Sequence, residues 1–423
     1  SALCALAHTL GALIAFRVLQ GIAGGTIMPA GQILLAREAG PERMGRVMAI
    51  IGVPALMAPV LGPVIGGIIL RFTTWPWLFI VNVPVGIIGL LLSMRLLPRD
   101  GLSSAERRAS SGSIDWVGVA LTAVGLPFVV YGLANIAAHG SDLKYVTGPI
   151  AFGLLLSAVF VMWCLRVDNP LINVRLWRNG GFAAAATTSF FLGAALFGSI
   201  ILLPLYYQMV RGESPLITGL LLAPQGLGAA IGIATSGRLT DRIGGGPVTI
   251  VGLLITAAAT LPFCWIDATS SYGWLSAAML IRGIGFGATM MPTMAAAYAA
   301  LTREDVPHVT PQLNVMQRVG GSVGTAILAT VLQHRFTHNP ALQAHAGAEG
   351  VHHAGGTLPP EIASQLAEAF GTAFWWSAAG SVVTLVPAYI LLRAERTRRR
   401  ERALEATKTQ ATETIASPVE EPV

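Results

Sequence analysis

Runs of about 20 apolar residues recur from one end of this chain to the other, and that is the length an α-helix needs to cross a bilayer. They predict full helices over Gly11–Ala36, Val47–Leu70, Trp77–Leu96, Ile114–Ala137, Val146–Leu165, Phe182–Val210, Leu216–Ser236, Val248–Ile266, Tyr272–Ala299, Val309–Gln333 and Ala369–Leu392. A partial run covers Ser1–Thr9. Composition agrees: 53% of the 423 residues are hydrophobic and only 11% are charged, against about 25% charged residues in a soluble domain. So few charges cannot cover a water-facing surface. The expected fold class is an all-α, polytopic membrane protein in contact with lipid.

The net charge is +6. In a soluble protein such a balance points to nucleic acid; here the cations cluster in short loops, where they set topology. With the Ala36–Gly45 loop in the cytoplasm and sides alternating, that side holds Arg37, Arg43, Arg95, Arg107, Arg175, Arg238, Arg303 and the arginine-rich stretch from Arg393. The outer side holds Arg71, Lys144, Arg211 and Arg335. This asymmetry places the C-terminus in the cytoplasm. Residues 394–423 lack apolar periodicity and read as a disordered tail, its basic start near anionic headgroups. Cys4, Cys164 and Cys264 fall inside apolar runs with no metal or disulfide spacing. Five of the eight histidines lie between His334 and His353, in a predicted outer loop of about 334–367. They read as incidental, so no metal site and no cofactor are expected.

A sequence pattern repeats. Leu19-Gln20-Gly21-Ile22-Ala23-Gly24-Gly25, followed by Met28-Pro29, is echoed by Ile281-Arg282-Gly283-Ile284-Gly285-Phe286-Gly287, followed by Met291-Pro292. Each copy lies on a predicted inward-running helix and precedes an Arg-Glu loop, Arg37-Glu38 and Arg303-Glu304. Seven predicted helices separate the copies, two more than a simple six-helix repeat needs. The extra pair is Ile114–Ala137 and Val146–Leu165. Parallel halves joined by a linker form a transporter architecture with its site near the midplane.

Three motifs then carry a resemblance. Arg17, Gln20, Gly21 and Gly24 resemble the arginine–glycine motif in the fourth helix of the major facilitator superfamily. Pro59, Gly62, Pro63, Gly66 and Gly67 resemble the antiporter motif of its fifth helix. Gly237, Asp241, Arg242 and Gly244 resemble its cytoplasmic loop motif, with Gly245-Gly246-Pro247 where a basic pair is usual. Their order and the linker pair are similar to the fourteen-helix drug:proton antiporters of the EmrB/QacA type. The resemblance implies two pseudo-symmetric halves: residues 1–113 as the remainder of the first, 114–181 as the linker pair and 182–393 as the second. It also implies a chain that starts within the third family helix, with an acidic proton-binding residue upstream. On that expectation, these residues alone do not perform coupled antiport.

Residue chemistry sets the site expectations. Gly62, Gly66 and Gly67 share nearly one helix face, and small residues admit a neighbouring backbone. Asp241 and Arg242, expected in a loop, could latch onto a helix N-terminus. Arg17, Arg282 and Arg318 fall within predicted spans, where arginine costs at least about 2.5–3.5 kcal/mol, yet no acidic residue lies deep in a span. Either Gln20, Asn314, Gln317 and backbone carbonyls satisfy them, or a carboxylate outside these spans does; Arg318 can also snorkel. Gln32, Gln208, Gln225, Asn314 and Gln317, with Tyr206, Tyr207 and Phe286, are candidate substrate-cavity residues in an otherwise apolar setting.

The expected function is proton-coupled efflux of hydrophobic or amphipathic small molecules such as drugs across a bacterial cytoplasmic membrane, by a monomer whose partners are substrate, protons and lipid. Export of one endogenous metabolite is the alternative. An enzyme ranks lower, because the spans hold no metal-ligand pair, acidic cluster or nucleophile elbow. Topology is testable with single cysteines in a cysteine-free background. An impermeant thiol reagent on intact cells should label His345→Cys and leave Asp241→Cys untouched; the reverse pattern rejects the assignment.

Overall fold

The computed structural model describes residues 1–25, 27, 30, 31, 62, 65–96, 115–140, 142–167, 170–299, 306–337, 359–397, 399 and 400. These residues form helices joined by short turns. A short helix α1 (Ala2–Ala5) precedes α2 (Leu10–Gly25) and α3 (Trp77–Leu96). A hairpin follows, α4 (Trp116–His139) and α5 (Gly148–Arg166), entered through a π-helical turn at Leu143–Thr147. The remaining helices are α6 (Gly180–Leu205), α7 (Pro215–Ile243), α8 (Gly245–Thr260), α9 (Tyr272–Ala299), α10 (Val306–Thr337) and α11, which runs as one apolar span over Pro360–Thr397. Nine candidate membrane spans lie among the described residues.

Trp77–Leu96 and Tyr272–Ala299 coincide with the apolar runs, but boundaries of two other helices move. Helix α7 does not stop at Ser236. It continues through Ile243, so Gly237, Asp241 and Arg242 are helical residues and not loop residues. The turn is Gly244 alone, at φ 99°, a conformation that favours glycine because it has no Cβ. Helix α11 starts at Pro360, nine residues before the predicted Ala369, with Pro360 at its first turn and Glu361 complementing its N-terminal dipole. It also continues past Ala394, so 394–397, 399 and 400 are helical and not part of a disordered tail. The middle of the 334–367 segment, residues 401–423, and the candidates Gln32, Pro59 and Pro63 lie outside the described residues.

Packing concentrates on glycines. On α7, a Cβ at Gly228 would sit on the carbonyl oxygen of Leu280, and one at Gly232 on that of Ile284. From α9, Gly283 and Gly287 face the carbonyls of Gln225 and Ala229. The two Gly-x-x-x-Gly faces therefore interlock backbone to backbone. Helices α6 and α10 repeat the device, with Gly193 against Gln317, Gly320 against Phe190 and Gly324 against Ala194. Gly252 and Gly285 bring α8 and α9 together in the same way. Such close approach maximises dispersion contacts and short Cα–H···O contacts where lipid offers no hydrophobic drive.

The outward faces are apolar: Leu154, Ile231, Val251, Leu254, Val386 and Ile390 are all exposed. A patch of this extent marks contact with a non-aqueous phase. In the α4–α5 hairpin, Gly125, Gly132 and Gly153 admit the facing helix. Asp115 pins the hairpin's base, accepting from Gly118 N (2.8 Å), Trp163 Nε1 (2.9 Å) and Leu171 N (3.1 Å). The hairpin packs through α4 against α10.

Two measurements follow. Gly320→Val drives a branched side chain into the Phe190 carbonyl, and overpacking costs about 1–3 kcal/mol or more. Its yield of monodisperse protein in detergent should fall several-fold, while Gly380→Ala, with no described atom within 4 Å of its Cβ, should match the parent. Burial opposes ionisation of Asp115, but its three donors outweigh that and hold its carboxyl below the usual range. A depressed carboxyl contributes stability above its unfolded value of about 3.9. The wild-type advantage over Asp115→Ala in thermal unfolding should therefore stay constant from pH 8 to 5 and shrink below about pH 4.

Candidate functional site

On the arginine–glycine helix α2, Arg17 has two contacts among the described residues. Arg17 Nη1 donates to Gln20 Oε1 at 3.3 Å, and its guanidinium carbon lies 4.6 Å from the centre of the Phe79 ring of α3. Gln20 also donates to Ser1 Oγ at 2.8 Å and accepts from Cys4 Sγ at 3.5 Å. Gln20 is therefore one partner of Arg17. Gly21 and Gly24 have no described atom within 4 Å of their Cβ positions.

Glycines of the antiporter-like helix do not share one tight neighbour. Gly62 has no described atom within 4 Å of its Cβ position, Gly66 meets only Leu78 Cδ2 at 3.7 Å, and Gly67 lies 3.4 Å from the backbone nitrogen of Leu216 at the start of α7. Among the described residues, close backbone approach is thus found at Gly67.

The loop motif builds a different latch from the one expected. Asp241 and Arg242 are exposed on the last turn of α7. The carboxylate that binds a helix N-terminus is Glu395, on α11. It accepts from Gly245 N at 3.0 Å and Gly246 N at 2.5 Å, the first two amides of α8, and pairs with Arg399 Nε at 3.2 Å. Glu395 is only 3% exposed. Free amides at a helix N-terminus favour an anion, and each position is shaped for it. A Cβ at Gly246 would strike Glu395 and Leu392, and one at Gly245 would strike the carbonyl of Pro292 on α9. The Gly-Gly that departs from the usual basic pair is therefore the seat of the carboxylate. Sequence reasoning missed Glu395 because it lies 150 residues from Gly245 in a stretch read as tail.

The cavity candidates separate. Tyr206 and Tyr207 are fully buried. Tyr206 donates to the Asp267 carbonyl at 2.6 Å, and the Tyr207 hydroxyl lies 3.9 Å from Met279 Sδ. Both belong to a packed cluster with Phe263, Phe370 and Phe374, so they are core residues and do not line an open cavity. Phe286 is likewise buried, with Leu192, Leu196 and Leu253. Gln208 and Arg318 are exposed, and Gln225, Asn314 and Gln317 are half-buried. Gln225 and Gln317 present their carbonyls to the glycines of the facing helix. Gln312, not singled out from sequence, is buried and donates to the Asn173 carbonyl at 3.3 Å.

At the end of the bundle opposite Glu395, Arg211 donates to Tyr272 Oη (3.2 Å) and the Ser270 carbonyl (2.9 Å), while Tyr272 donates to Glu213 Oε1 (2.5 Å). This ties the α6–α7 turn to the start of α9. Asp267 serves its own turn, accepting from Ala268 N at 2.6 Å. No group of three or more potential metal ligands occurs among the described residues.

Comparison with known proteins places this architecture. The model of the Major Facilitator Superfamily matches residues 1–325. The chain is 36% identical, over 96% of its own length and 78% of that protein, to the "Multidrug resistance protein B homolog" of Mycobacterium tuberculosis. It is 31% identical, over 78% of its length and 68% of that protein, to the "Methylenomycin A resistance protein" of Streptomyces coelicolor. Among solved structures, a bacterial homologue of the human lysosomal transporter Spinster superposes with a TM-score of 0.54 at 16% identity, covering 94% of this chain and 79% of that one. That likeness concerns the fold alone. The motifs, the helical architecture and these matches together make the chain a multi-pass membrane protein that belongs to the Major Facilitator Superfamily.

Proposed function

We propose that this protein exports hydrophobic or amphipathic small molecules from bacterial cells by proton-coupled antiport. The observation that carries the reading is 36% identity across nearly the whole chain to a protein named for multidrug resistance. The physical character of the helices supports it. Their faces are apolar, their polar side chains few and mostly uncharged, and sites of that kind suit apolar substrates. On this reading the protein works as a monomer in the cytoplasmic membrane, with the arginine-rich ends of its helices in the cytoplasm. It has two helical halves and a linker pair, as in the fourteen-helix branch. Gly67 against α7 is a seam between halves, and Arg17 with Gln20 is a polar centre for coupling.

The Glu395 clamp has a mechanical role in such a cycle. It fastens the end of α11 to the start of α8, and through Gly245 to α9, so that these helices move as one body. A hinge within that body would let them shear separately and dissipate the motion that opens the substrate path.

In liposomes under an imposed pH gradient, the purified full-length protein should drive ethidium accumulation that a protonophore abolishes. Flux equal to that of empty liposomes rejects the function. Hydrogen bonds to a charged group are worth about 1.5–3 kcal/mol each. Glu395→Gln should therefore lower Tm by several degrees and flux several-fold, whereas Asp241→Asn should stay within twofold of the parent; equal effects would contradict the clamp.

A further inference from the structure

Arg282 is 3% exposed, and its Nε and Nη1 atoms have no hydrogen-bond partner among the described residues. It lies ten residues into α9 from Tyr272, about 15 Å at 1.5 Å per residue, which is near the middle of a bilayer about 30 Å thick. Its neighbours offer little to a cation. The Phe263 ring centre is 6.0 Å from Cζ, the outer limit of a useful cation–π contact. The Cys264 thiol points to the Thr260 carbonyl at 3.8 Å. An arginine stays protonated, and a buried charge without acceptors is among the costliest features a fold can hold. Gln20 stands in the corresponding place in the first copy of the repeat, and its polar atoms all have partners: Ser1, Cys4 and Arg17.

We propose that Arg282 is an anion-binding residue, and that its missing acceptor is a small anionic group: an inorganic halide or the carboxylate head of an amphiphile. The chemistry fits. A desolvated guanidinium binds carboxylate and halide alike through charge-assisted hydrogen bonds. The proposal is independent of the efflux reading, because it concerns equilibrium binding.

The test is thermal unfolding of the purified protein in a neutral detergent at low salt. Chloride is titrated in one arm; decanoate is compared with decanol in the other. Wild type and Arg335→Met, which removes an exposed arginine, should both gain a few degrees with the anion, as binding to the folded state requires. Arg282→Met should start at or above the wild-type Tm, since it removes an unpaired buried charge, and should show no anion-specific gain. A gain with chloride identifies an inorganic anion; a gain with decanoate over decanol identifies a carboxylate amphiphile. A wild type that responds to neither, or an Arg282→Met protein that responds as wild type does, overturns the proposal. Should Arg282→Met not fold, Arg282→Gln is held to the same loss of response.

Discussion

The contact on which the rest of this structure depends is that of one helix backbone lying directly on another. In lipid, burying leucine between helices gains little over leaving it against acyl chains. What remains is dispersion, and dispersion falls off steeply with separation. Gly228, Gly232, Gly283 and Gly287 bring α7 and α9 as close as two helices can come; Gly193, Gly320 and Gly324 do the same for α6 and α10. With these pairs fixed, α8 is drawn in through Gly252 and Gly285, and the aromatic cluster around Phe263, Phe370 and Phe374 closes the bundle where the helices diverge. Large apolar side chains are left to face outwards, the reverse of a soluble protein.

Polar chemistry is confined to places where the backbone itself requires it or where a function would. Glu395 answers the free amides at the start of α8. Asp115 and Asn179 cap their helices, and threonines throughout the core return their hydroxyls to the carbonyl four residues back. Among the described residues, Arg282 and Glu395 are the charged side chains that are buried. One is fully answered by two amides and an arginine. The other leaves two nitrogens unanswered, and that contrast separates a structural charge from a candidate ligand-binding one.

How much of this was legible in the sequence depends on what each signal reports. Apolar runs report lipid contact, so Tyr272–Ala299 and Trp77–Leu96 were read to the residue. Helix hydrogen bonding continues where hydropathy fails, so α7 ran past Ser236 into charged residues, and α11 began at Pro360 and carried on past Ala394. The echo of Ile281–Gly287 was visible as a repeat, but which neighbour its glycines admit is a property of α7, far away in sequence. The burial of Tyr206 and Tyr207 was illegible for a related reason: an aromatic hydroxyl in an apolar run looks the same whether it faces a cavity or a packed core. Glu395 carried only the weak local signal of its i,i+4 pair with Arg399, because its other partners are backbone amides far away in sequence. Arg282 did carry one, since an arginine inside an apolar run has to be explained wherever it points.

The central claim is that the α7–α9 seam is backbone against backbone, and a double-mutant cycle in thermal unfolding tests it most directly. Gly232→Val places a side chain on the carbonyl oxygen of Ile284. Ile284→Ala trims the facing side chain but leaves that oxygen in place. The account predicts that Ile284→Ala rescues nothing: Gly232→Val lowers Tm by several degrees, and the two losses add within about 0.5 kcal/mol. Recovery of most of the Gly232→Val loss in the double variant would mean that the seam is an ordinary side-chain contact, and would contradict the account.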